Sequence, residues 1–164
     1  MAGEAGFQAV VAAPGFALGV RCNEEEVVEI EFIEPRPEVA PANALAAETV
    51  RQLRAYLADP ACEFGLPLRP SGTAFQRRVW AEIAAIPVGV TLTYGEVAKN
   101  LRNAPRAVGQ ACGANPFPLV VPCHRVVASA GGLGGFARHG GGFLLDVKRW
   151  LLQHEGREFA GTRG

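Results

Sequence analysis

The stretch Leu119-Val120-Val121-Pro122-Cys123-His124-Arg125-Val126 places a cysteine and a histidine directly after three apolar residues and a proline. Proline fixes its own φ and keeps the preceding residue extended, so the pattern predicts a buried extended run that ends in a rigid corner at Cys123. A free thiol is a weak nucleophile near neutral pH, and a neighbouring base generates the reactive thiolate. His124 is a candidate for that base. A structural cysteine is the alternative, because free cysteine is among the most buried residue types.

The region after this stretch predicts a helix over 143–154 that ends at Glu155. Its apolar residues recur at helical spacing. An acidic side chain at a helix C-terminus opposes the macrodipole, and such local conflicts tend to mark functional sites. A Glu155 carboxylate that points at His124 would orient the imidazole and stabilise its cation, which gives a Cys-His-Glu triad. A surface glutamate without a role is the alternative.

The region before the stretch predicts three short helices. Thr73 and Thr93 each begin a capping box, and Pro105 suits the first position of a helix that runs to about Asn115. Two helices joined by the short turn Asn103-Ala104 form a helix-turn-helix arrangement. Many helix pairs bind nothing, so the pattern alone leaves the role of this pair open.

The second helix of the pair alternates small residues, namely Ala107, Gly109, Ala111 and Gly113. Glycine in a helix costs roughly 0.8–1 kcal/mol relative to alanine, so something should offset that cost. One hypothesis is a slim helix that enters the minor groove of B-DNA, which is only about 6 Å wide. The alternative is close packing against another helix, which also needs small residues.

The first half of the chain predicts a β meander followed by a helix. Strands are expected at 7–11, 16–20 and 26–34, and a helix at 43–58 that stops at Asp59-Pro60. Prolines and a glycine over 60–72 indicate a boundary between two subdomains.

Charge divides the chain into two unlike halves. Residues 1–72 hold five arginines and no lysine against eleven acidic residues, a net charge of −6. Residues 73–164 hold nine arginines and two lysines against five acidic residues, a net charge of +6. The second half carries the field that a polyanion would need, although chance segregation gives the same counts.

The cellular compartment is predicted from the absence of membrane-spanning, export and cysteine-pair signals in the sequence. No apolar run approaches the ~20 residues that span a bilayer, so we expect no membrane association. Met1-Ala2-Gly3-Glu4 has no basic residue where an export signal requires one, and the four cysteines form no CxxC pair. We therefore expect a cytoplasmic protein without disulfides.

Seven of the twelve residues from 131 to 142 are glycine, and 132–137 matches a relaxed dinucleotide fingerprint. No helix follows and no βαβ unit surrounds it, so we reject a nucleotide-binding role. A flexible loop that closes over a pocket fits better.

From about Thr73 to Gly156 the chain resembles the O6-alkylguanine-DNA alkyltransferases, the suicide DNA-repair proteins. The matching motifs occur in the family's order and spacing: Thr93-Tyr94-Gly95-Glu96-Val97-Ala98, Arg106-Ala107-Val108-Gly109, Ala114-Asn115-Pro116, Pro122-Cys123-His124-Arg125-Val126, Lys148-Arg149-Trp150-Leu151-Leu152 and His154-Glu155-Gly156.

The resemblance implies an α+β fold in two domains. Residues 1–72 would form a structural domain with a small antiparallel sheet and a helix, ribonuclease H-like in topology. Residues 73–164 would form a mainly helical, winged helix-turn-helix-like domain that carries the cysteine. The protein would act as a monomer without a cofactor.

The resemblance also implies a role for each candidate residue. Cys123 would take the alkyl group, His124 would remove the thiol proton through a bound water, Glu155 would hold His124, and Asn115 would hold the active-site turn. Double-stranded DNA containing O6-alkylguanine would be the partner, with Tyr94 crowding the target phosphate and Arg106 filling the gap that the rotated nucleotide leaves. The other DNA contacts would be Ala107, Gly109 and Arg125, and the guanine pocket would be formed by Val126, Gly134, Phe136, Ala137 and Lys148.

This sequence departs from the family pattern at Phe136 and in the loop that follows Ala137, which is longer than in some relatives and leaves the substrate preference open. Phe136 stands where the family usually has a tyrosine whose hydroxyl assists the departing guanine oxygen. Relatives that bind zinc use cysteine and histidine residues of the N-terminal part, and residues 1–72 offer only Cys22 and Cys62. We therefore predict no metal site.

Two other functions remain open from the sequence. A lesion-binding protein that recruits repair factors would not need Cys123, although Phe136 leaves room for weak transfer with retained binding. A Cys-His-Glu hydrolase would need neither the helix pair nor the small-residue helix.

Overall fold

The computed structural model describes residues 6–128, 132–133 and 142–156. The chain divides into two compact units, one on each side of the Pro70–Ser71 bond. This division falls two residues from the predicted boundary. The assignment of a separate role to each part stays a prediction.

The first unit contains a three-stranded antiparallel sheet in the order β1-β2-β3. Its strands are β1 (Ala9–Ala13), β2 (Phe16–Cys22) and β3 (Val27–Ile33). The predicted strands begin or end up to two residues away from these bounds. β1 and β2 pair from Ala9 opposite Val20 to Ala13 opposite Phe16, so the turn between them is only two residues long. Gly15 in that turn has a φ of 83°, a conformation that glycine adopts without strain.

One helix, α1 (Ala44–Ala58), packs against β1 and β2. It begins because the Asn43 side chain accepts a hydrogen bond from the Ala46 amide at 2.8 Å. It buries Leu53 and Tyr56, and it ends at Asp59, ahead of Pro60. The helix predicted over 43–58 is confirmed.

The second unit begins with three helices around an aliphatic core. These are α2 (Ala74–Ala84), α3 (Tyr94–Leu101) and α4 (Pro105–Gly113), with the short strand β4 (Leu92–Thr93) before α3. Both predicted capping boxes are present. The side chain of each cap threonine accepts a hydrogen bond from the backbone amide three residues later, and the side chain of that later residue accepts one from the threonine's backbone amide. The core residues shared by the helices are Val79, Ile83, Val97, Leu101, Val108 and Ala111.

The remainder of the second unit carries the stretch that contains Cys123 and His124. A single 3₁₀ turn spans Cys123–Arg125 and leads into strand β5 (Val126–Val127), which pairs in parallel with β4. The last helix is α5 (Phe143–His154), Glu155 is its C-cap residue, and Gly156 follows with a φ of 91°. No helix in the described parts of the chain is long and apolar enough to cross a membrane.

The predicted extended run before Cys123 is wrong. The Val121 amide donates to the Phe117 carbonyl at 2.8 Å, and Leu119 has a φ of 76°, so the chain turns back on itself here. Asn115 fixes the turn, because its Oδ1 accepts from the Phe117 amide at 2.9 Å and its Nδ2 donates to the Val121 carbonyl at 2.9 Å. Asparagine side chains commonly fix turns by such bonds to the local backbone. Cys123 thus follows a loop held by hydrogen bonds from the Asn115 side chain, rather than a strand.

Candidate active site

Cys123 is the first residue of the 3₁₀ turn and is 5% exposed. Asn115 Nδ2 lies 3.4 Å from its Sγ, so the same amide that holds the loop also donates toward the sulfur. A bond of this kind favours the thiolate over the thiol. The Asn115 side chain therefore both fixes the loop before Cys123 and favours a thiolate at Cys123.

His124 and Glu155 meet inside the unit, as predicted. His124 Nε2 lies 2.7 Å from Glu155 Oε2, and both side chains are buried. A carboxylate can only accept, so Nε2 carries the proton and Nδ1 presents its lone pair. Nδ1 is buried and has no hydrogen-bond partner among the described residues. The imidazole is thus held by Glu155 and keeps one nitrogen available as a base.

Arg125 was predicted to contact DNA, and the structure corrects this placement. Its side chain is buried, with Nε 2.8 Å from Glu155 Oε1 and one terminal nitrogen 3.0 Å from Glu155 Oε2. The other terminal nitrogen donates to the Ile86 carbonyl at 2.6 Å. A buried guanidinium needs its donors paired, and this one uses them inside the protein. Arg125 therefore positions Glu155 rather than facing a ligand.

The surroundings of Cys123 oppose its ionisation in the resting protein. Its pKa lies well above the ordinary value, first because of the neighbouring Cys112 thiol and second because burial disfavours the thiolate. The Asn115 hydrogen bond and the charge of Lys148 act in the opposite direction. Burial also lowers the pKa of His124, against the effect of Glu155. The resting pair is thus a neutral thiol and a neutral imidazole, which leaves the base able to accept a proton.

Lys148 is fully buried beside this site. Its Nζ donates to the Val126 carbonyl at 2.9 Å and lies 5.7 Å from the centre of the Tyr94 ring. Burial lowers its pKa from 10.5 to about 8, although the two cysteine sulfurs act in the opposite direction. The ammonium group is the positive charge that favours a thiolate at Cys123.

Substitution Lys148→Met should remove a pH dependence of stability. The folded protein releases this proton near pH 8, whereas the unfolded chain keeps it to about pH 10.5, so the unfolded state binds more protons between these values. The contribution of Lys148 to the free energy of unfolding should therefore rise with pH across this window, by up to about 3 kcal/mol in total. Urea unfolding of both proteins from about pH 7 to about pH 10 measures the difference.

The exposed Lys99 on α3 is the matched control for this experiment, and Lys99 and Lys148 are the two lysines of the chain. Lys99→Met should leave the pH profile of stability like that of the wild type. Parallel profiles for wild type and Lys148→Met would contradict the buried, proton-releasing lysine.

The residues predicted to face DNA lie on α3 and α4. Arg106 is exposed near the start of α4, Ala107 and Gly109 are half-buried, and Tyr94 is half-buried at the start of α3. A Cβ placed on Gly109 would meet no atom within 4 Å among the described residues. Packing within the described chain therefore does not explain this glycine.

Three predicted pocket residues, Gly134, Phe136 and Ala137, lie outside the described residues. Val126 is buried in the core cluster that includes Cys123. Residues 6–128, 132–133 and 142–156 contain no group of three histidine, cysteine or acidic residues that could hold a metal ion.

Sequence reasoning missed Cys112. It lies on α4 one position before the last residue of the helix, and it packs, half-buried, against the core cluster that contains Cys123. Cys112 lies four residues after the buried Val108 and therefore on the same face of the helix. This spacing is the sequence signal that could have identified Cys112 as an inward-facing residue.

A cysteine lies beside a buried histidine–glutamate pair in the same unit as the helix pair, an arrangement typical of proteins that use a thiol nucleophile. Comparison with known proteins makes the class specific. A model of the family described as "6-O-methylguanine DNA methyltransferase, DNA binding domain" matches residues 74–157. The chain therefore belongs to the 6-O-methylguanine DNA methyltransferase family.

Individual relatives agree with this assignment. A methylated-DNA–protein-cysteine methyltransferase of Methanosarcina acetivorans is 48% identical over 111 residues, which is 66% of this chain and 68% of that protein. The crystal structure of the Mycobacterium tuberculosis O6-methylguanine methyltransferase superimposes with a TM-score of 0.75 at 34% identity and covers 89% of this chain and 90% of that one. The Mycobacterium tuberculosis OGT in complex with DNA gives a TM-score of 0.74 at 36% identity with the same coverage.

Proposed function

We propose that this protein repairs DNA by irreversible transfer of the alkyl group, chiefly methyl, from O6-alkylguanine to its own Cys123. It would thus be a methylated-DNA–protein-cysteine S-methyltransferase that acts once per molecule. The observation that carries the proposal is the 2.7 Å contact of buried His124 with Glu155, directly beside Cys123, within the segment that the family model matches.

The proton leaves Cys123 by way of His124. The lone pair on Nδ1 accepts it through a bridging water, and Glu155 stabilises the imidazolium that results. Arg125 keeps the carboxylate in place with two hydrogen bonds. Asn115 and Lys148 stabilise the negative charge while it stays on the sulfur. Cys123 thus ionises only when His124 accepts its proton while Asn115 and Lys148 stabilise the thiolate.

The thiolate then attacks the alkyl carbon. The new S–C bond forms as the O6–C bond breaks, and guanine leaves with the electron pair and takes up the proton that the thiol had given to His124. The product is a thioether, which water does not hydrolyse as it would an acyl or phosphoryl ester. Cys123 is therefore consumed, and one molecule repairs one lesion.

Access to O6 requires the nucleotide to leave the duplex, because the atom lies within the base pair. Extrusion costs a few kcal/mol of stacking and pairing, and least for a damaged pair. We infer that α4 enters the minor groove through Ala107 and Gly109, since Gly109 has open space around it rather than a packed neighbour. Tyr94 would crowd the target phosphate and Arg106 would fill the gap.

The finer features of the fold remain part of the proposal. Helices α3 and α4 would act as a winged helix-turn-helix, and the first unit as a ribonuclease H-like structural domain. The second half would provide the positive field for DNA, in line with its net charge of +6. A monomeric, cytoplasmic protein without a cofactor stays our prediction, as does the assignment of residues 1–72 and 73–164 to two domains.

Substitution Arg106→Ala should slow repair in duplex DNA and spare reaction with the free base O6-methylguanine. The reason is that Arg106 would stabilise only the extruded duplex, whereas the free base needs no extrusion. Single-turnover rates on the duplex and on the free base measure the ratio of the two reactions. Arg77→Ala removes an exposed arginine from α2 and should leave the ratio of the two rates unchanged. Equal losses on both substrates in Arg106→Ala would contradict the assigned role.

The test of the proposed function is a titration of lesion DNA with protein. An O6-methylguanine duplex in excess should lose one methyl group per protein molecule, after which the reaction stops. Continued turnover by a limiting amount of protein would favour a Cys-His-Glu hydrolase. Binding of the lesion without any loss of methyl would favour a recognition protein instead.

A further inference from the structure

The indole of Trp80 reaches from α2 to the C-terminal end of α4. The Trp80 side chain is buried, and its Nε1 donates to the Ala111 carbonyl at 2.8 Å. The regular helical donor to this carbonyl would be the Asn115 amide, which donates to the Cys112 carbonyl at 3.2 Å instead. The indole therefore supplies a donor where the helix ends, and it ties that end of α4 to α2.

The Trp80 ring is itself held in place by its surroundings. It belongs to the core cluster that also contains Ile83 and Val97. The backbone of Gly72 lies against the ring, since a Cβ built on Gly72 would be only 2.6 Å from the Trp80 Cη2 atom. Close packing on both sides leaves a large planar side chain little room to move. The indole N–H is thus a fixed donor.

The end of α4 leads directly to the group that contacts the sulfur. Asn115 follows Ala114, the C-cap residue of the helix. Its side chain holds the loop before Cys123 through the Phe117 amide and the Val121 carbonyl, and its Nδ2 lies 3.4 Å from Cys123 Sγ. The point at which α4 ends therefore decides where this Nδ2 lies relative to the sulfur.

We propose that Trp80 is a positioning residue for the nucleophile: its indole N–H holds the end of α4 so that the Asn115 amide stays in contact with Cys123 Sγ. This inference deepens the proposed function and rests on it for the use of Cys123 as the nucleophile. It gives α4 a fixed end at the thiol, while Arg106 at the other end of the helix would engage the DNA.

A tryptophan that serves only the fold would give a different result. Without the indole N–H, the Ala111 carbonyl keeps a bond from the Ala114 amide at 3.2 Å, so α4 should still form. The hydrogen bond from Asn115 favours the thiolate over the thiol, so a displaced Asn115 should make Cys123 less reactive at a given pH. A purely structural role would change stability and leave the reactivity of the sulfur as it is.

The experiment compares the wild type with Trp80→Phe, which keeps an aromatic ring in the core and removes the N–H. Peptide mass spectrometry follows the rate at which iodoacetamide alkylates Cys123 as a function of pH. At neutral pH this rate should fall by about threefold to tenfold, the factor that one buried hydrogen bond is worth, and the rate–pH profile should shift to higher pH. Every variant retains the titratable residues of this region, namely Tyr94, Cys112, His124 and Lys148.

Ile83→Val is the matched control, because Ile83 is buried in the same cluster one turn further along α2. It should cost a comparable amount of stability and keep the wild-type rate–pH profile. A wild-type profile in Trp80→Phe, whatever its stability, would overturn the proposal.

A double-mutant cycle with Asn115→Ala tests whether Trp80 acts through Asn115. In the Asn115→Ala background, Trp80→Phe should change the alkylation rate by less than about twofold, because the contact that Trp80 protects is already gone. Full multiplication of the two single-variant factors would show that Trp80 acts by another path and would overturn the proposal.

Two further measurements cover a variant that fails to fold. Trp80→Leu also lacks the N–H and should repeat the shift of the profile. In the wild type, the indole N–H of Trp80 should exchange slowly with deuterium, and Trp150→Phe identifies its resonance because the chain has two tryptophans. Exchange as fast as in a free indole would overturn the proposal. Alkylation by iodoacetamide needs no DNA, so a failure of the proposed function would show separately, as a reactive Cys123 that takes no methyl from O6-methylguanine.

Discussion

Replacement of Cys123 by serine should abolish alkyl transfer and leave binding to lesion DNA intact. A serine hydroxyl ionises far less readily than a thiol, so the neutral His124 cannot generate a nucleophile from it. The hydroxyl is close to the thiol in size, and Cys123 is 5% exposed, so the change should disturb the core little. Transfer of labelled methyl from an O6-methylguanine duplex measures the loss, and fluorescence anisotropy with the same duplex measures binding.

Cys62→Ser is the matched control, because Cys62 is half-buried and lies in the other compact unit. It should transfer methyl at the wild-type rate. Residual transfer in Cys123→Ser would place the acceptor elsewhere, and a joint loss of binding and transfer would point to misfolding instead.

Removal of the Glu155 side chain should destabilise the protein and slow transfer together. The Glu155→Ala variant leaves the buried Arg125 guanidinium without its carboxylate, and breaking a buried ion pair from one side costs about 3–5 kcal/mol. The same change leaves His124 without the group that orients it and stabilises its cation. Loss of effective general-base catalysis typically lowers a rate by about 10²–10⁴-fold. Urea unfolding measures the first effect and single-turnover transfer the second.

Two further variants separate these effects. Asp146→Ala removes an exposed acid from α5, the helix that Glu155 follows, where its pairing with Arg149 is a surface contact worth about 0–1 kcal/mol. The double variant Glu155→Leu with Arg125→Met should recover stability, because it leaves no unpaired buried charge, yet stay slow in transfer. A fast double variant would show that Glu155 serves the fold alone. A Glu155→Ala variant as stable as wild type would contradict the buried ion pair.

The helices could be predicted from the sequence because their signals are local. Thr73 and Thr93 close their capping boxes within four residues, and Pro105 begins α4 at the first position. Such signals act through the backbone of neighbouring residues and need no knowledge of the tertiary fold. For Glu155 the conflict with the helix macrodipole gave an inward carboxylate only as one hypothesis beside a surface glutamate, and the family resemblance implied its contact with His124.

The remaining features depend on contacts between residues far apart in the sequence. The loop before Cys123 reads as a strand from its apolar residues, but Asn115 staples it into a turn. Arg125 was predicted to contact DNA, but its ion pair with Glu155, thirty residues later in the chain, keeps its side chain buried. The packing of Cys112 against the core cluster that contains Cys123 likewise arises only in the folded unit. Propensity and pattern do not report such tertiary contacts.

The most direct test of the account is intact-protein and peptide mass spectrometry after reaction with an O6-methylguanine oligonucleotide. We expect a mass increase of one methyl group per molecule, located on the peptide that contains Cys123, with no further increase when fresh oligonucleotide is added. An unmodified protein after complete loss of methyl from the DNA, or a methyl group on any other residue, would contradict the central claim.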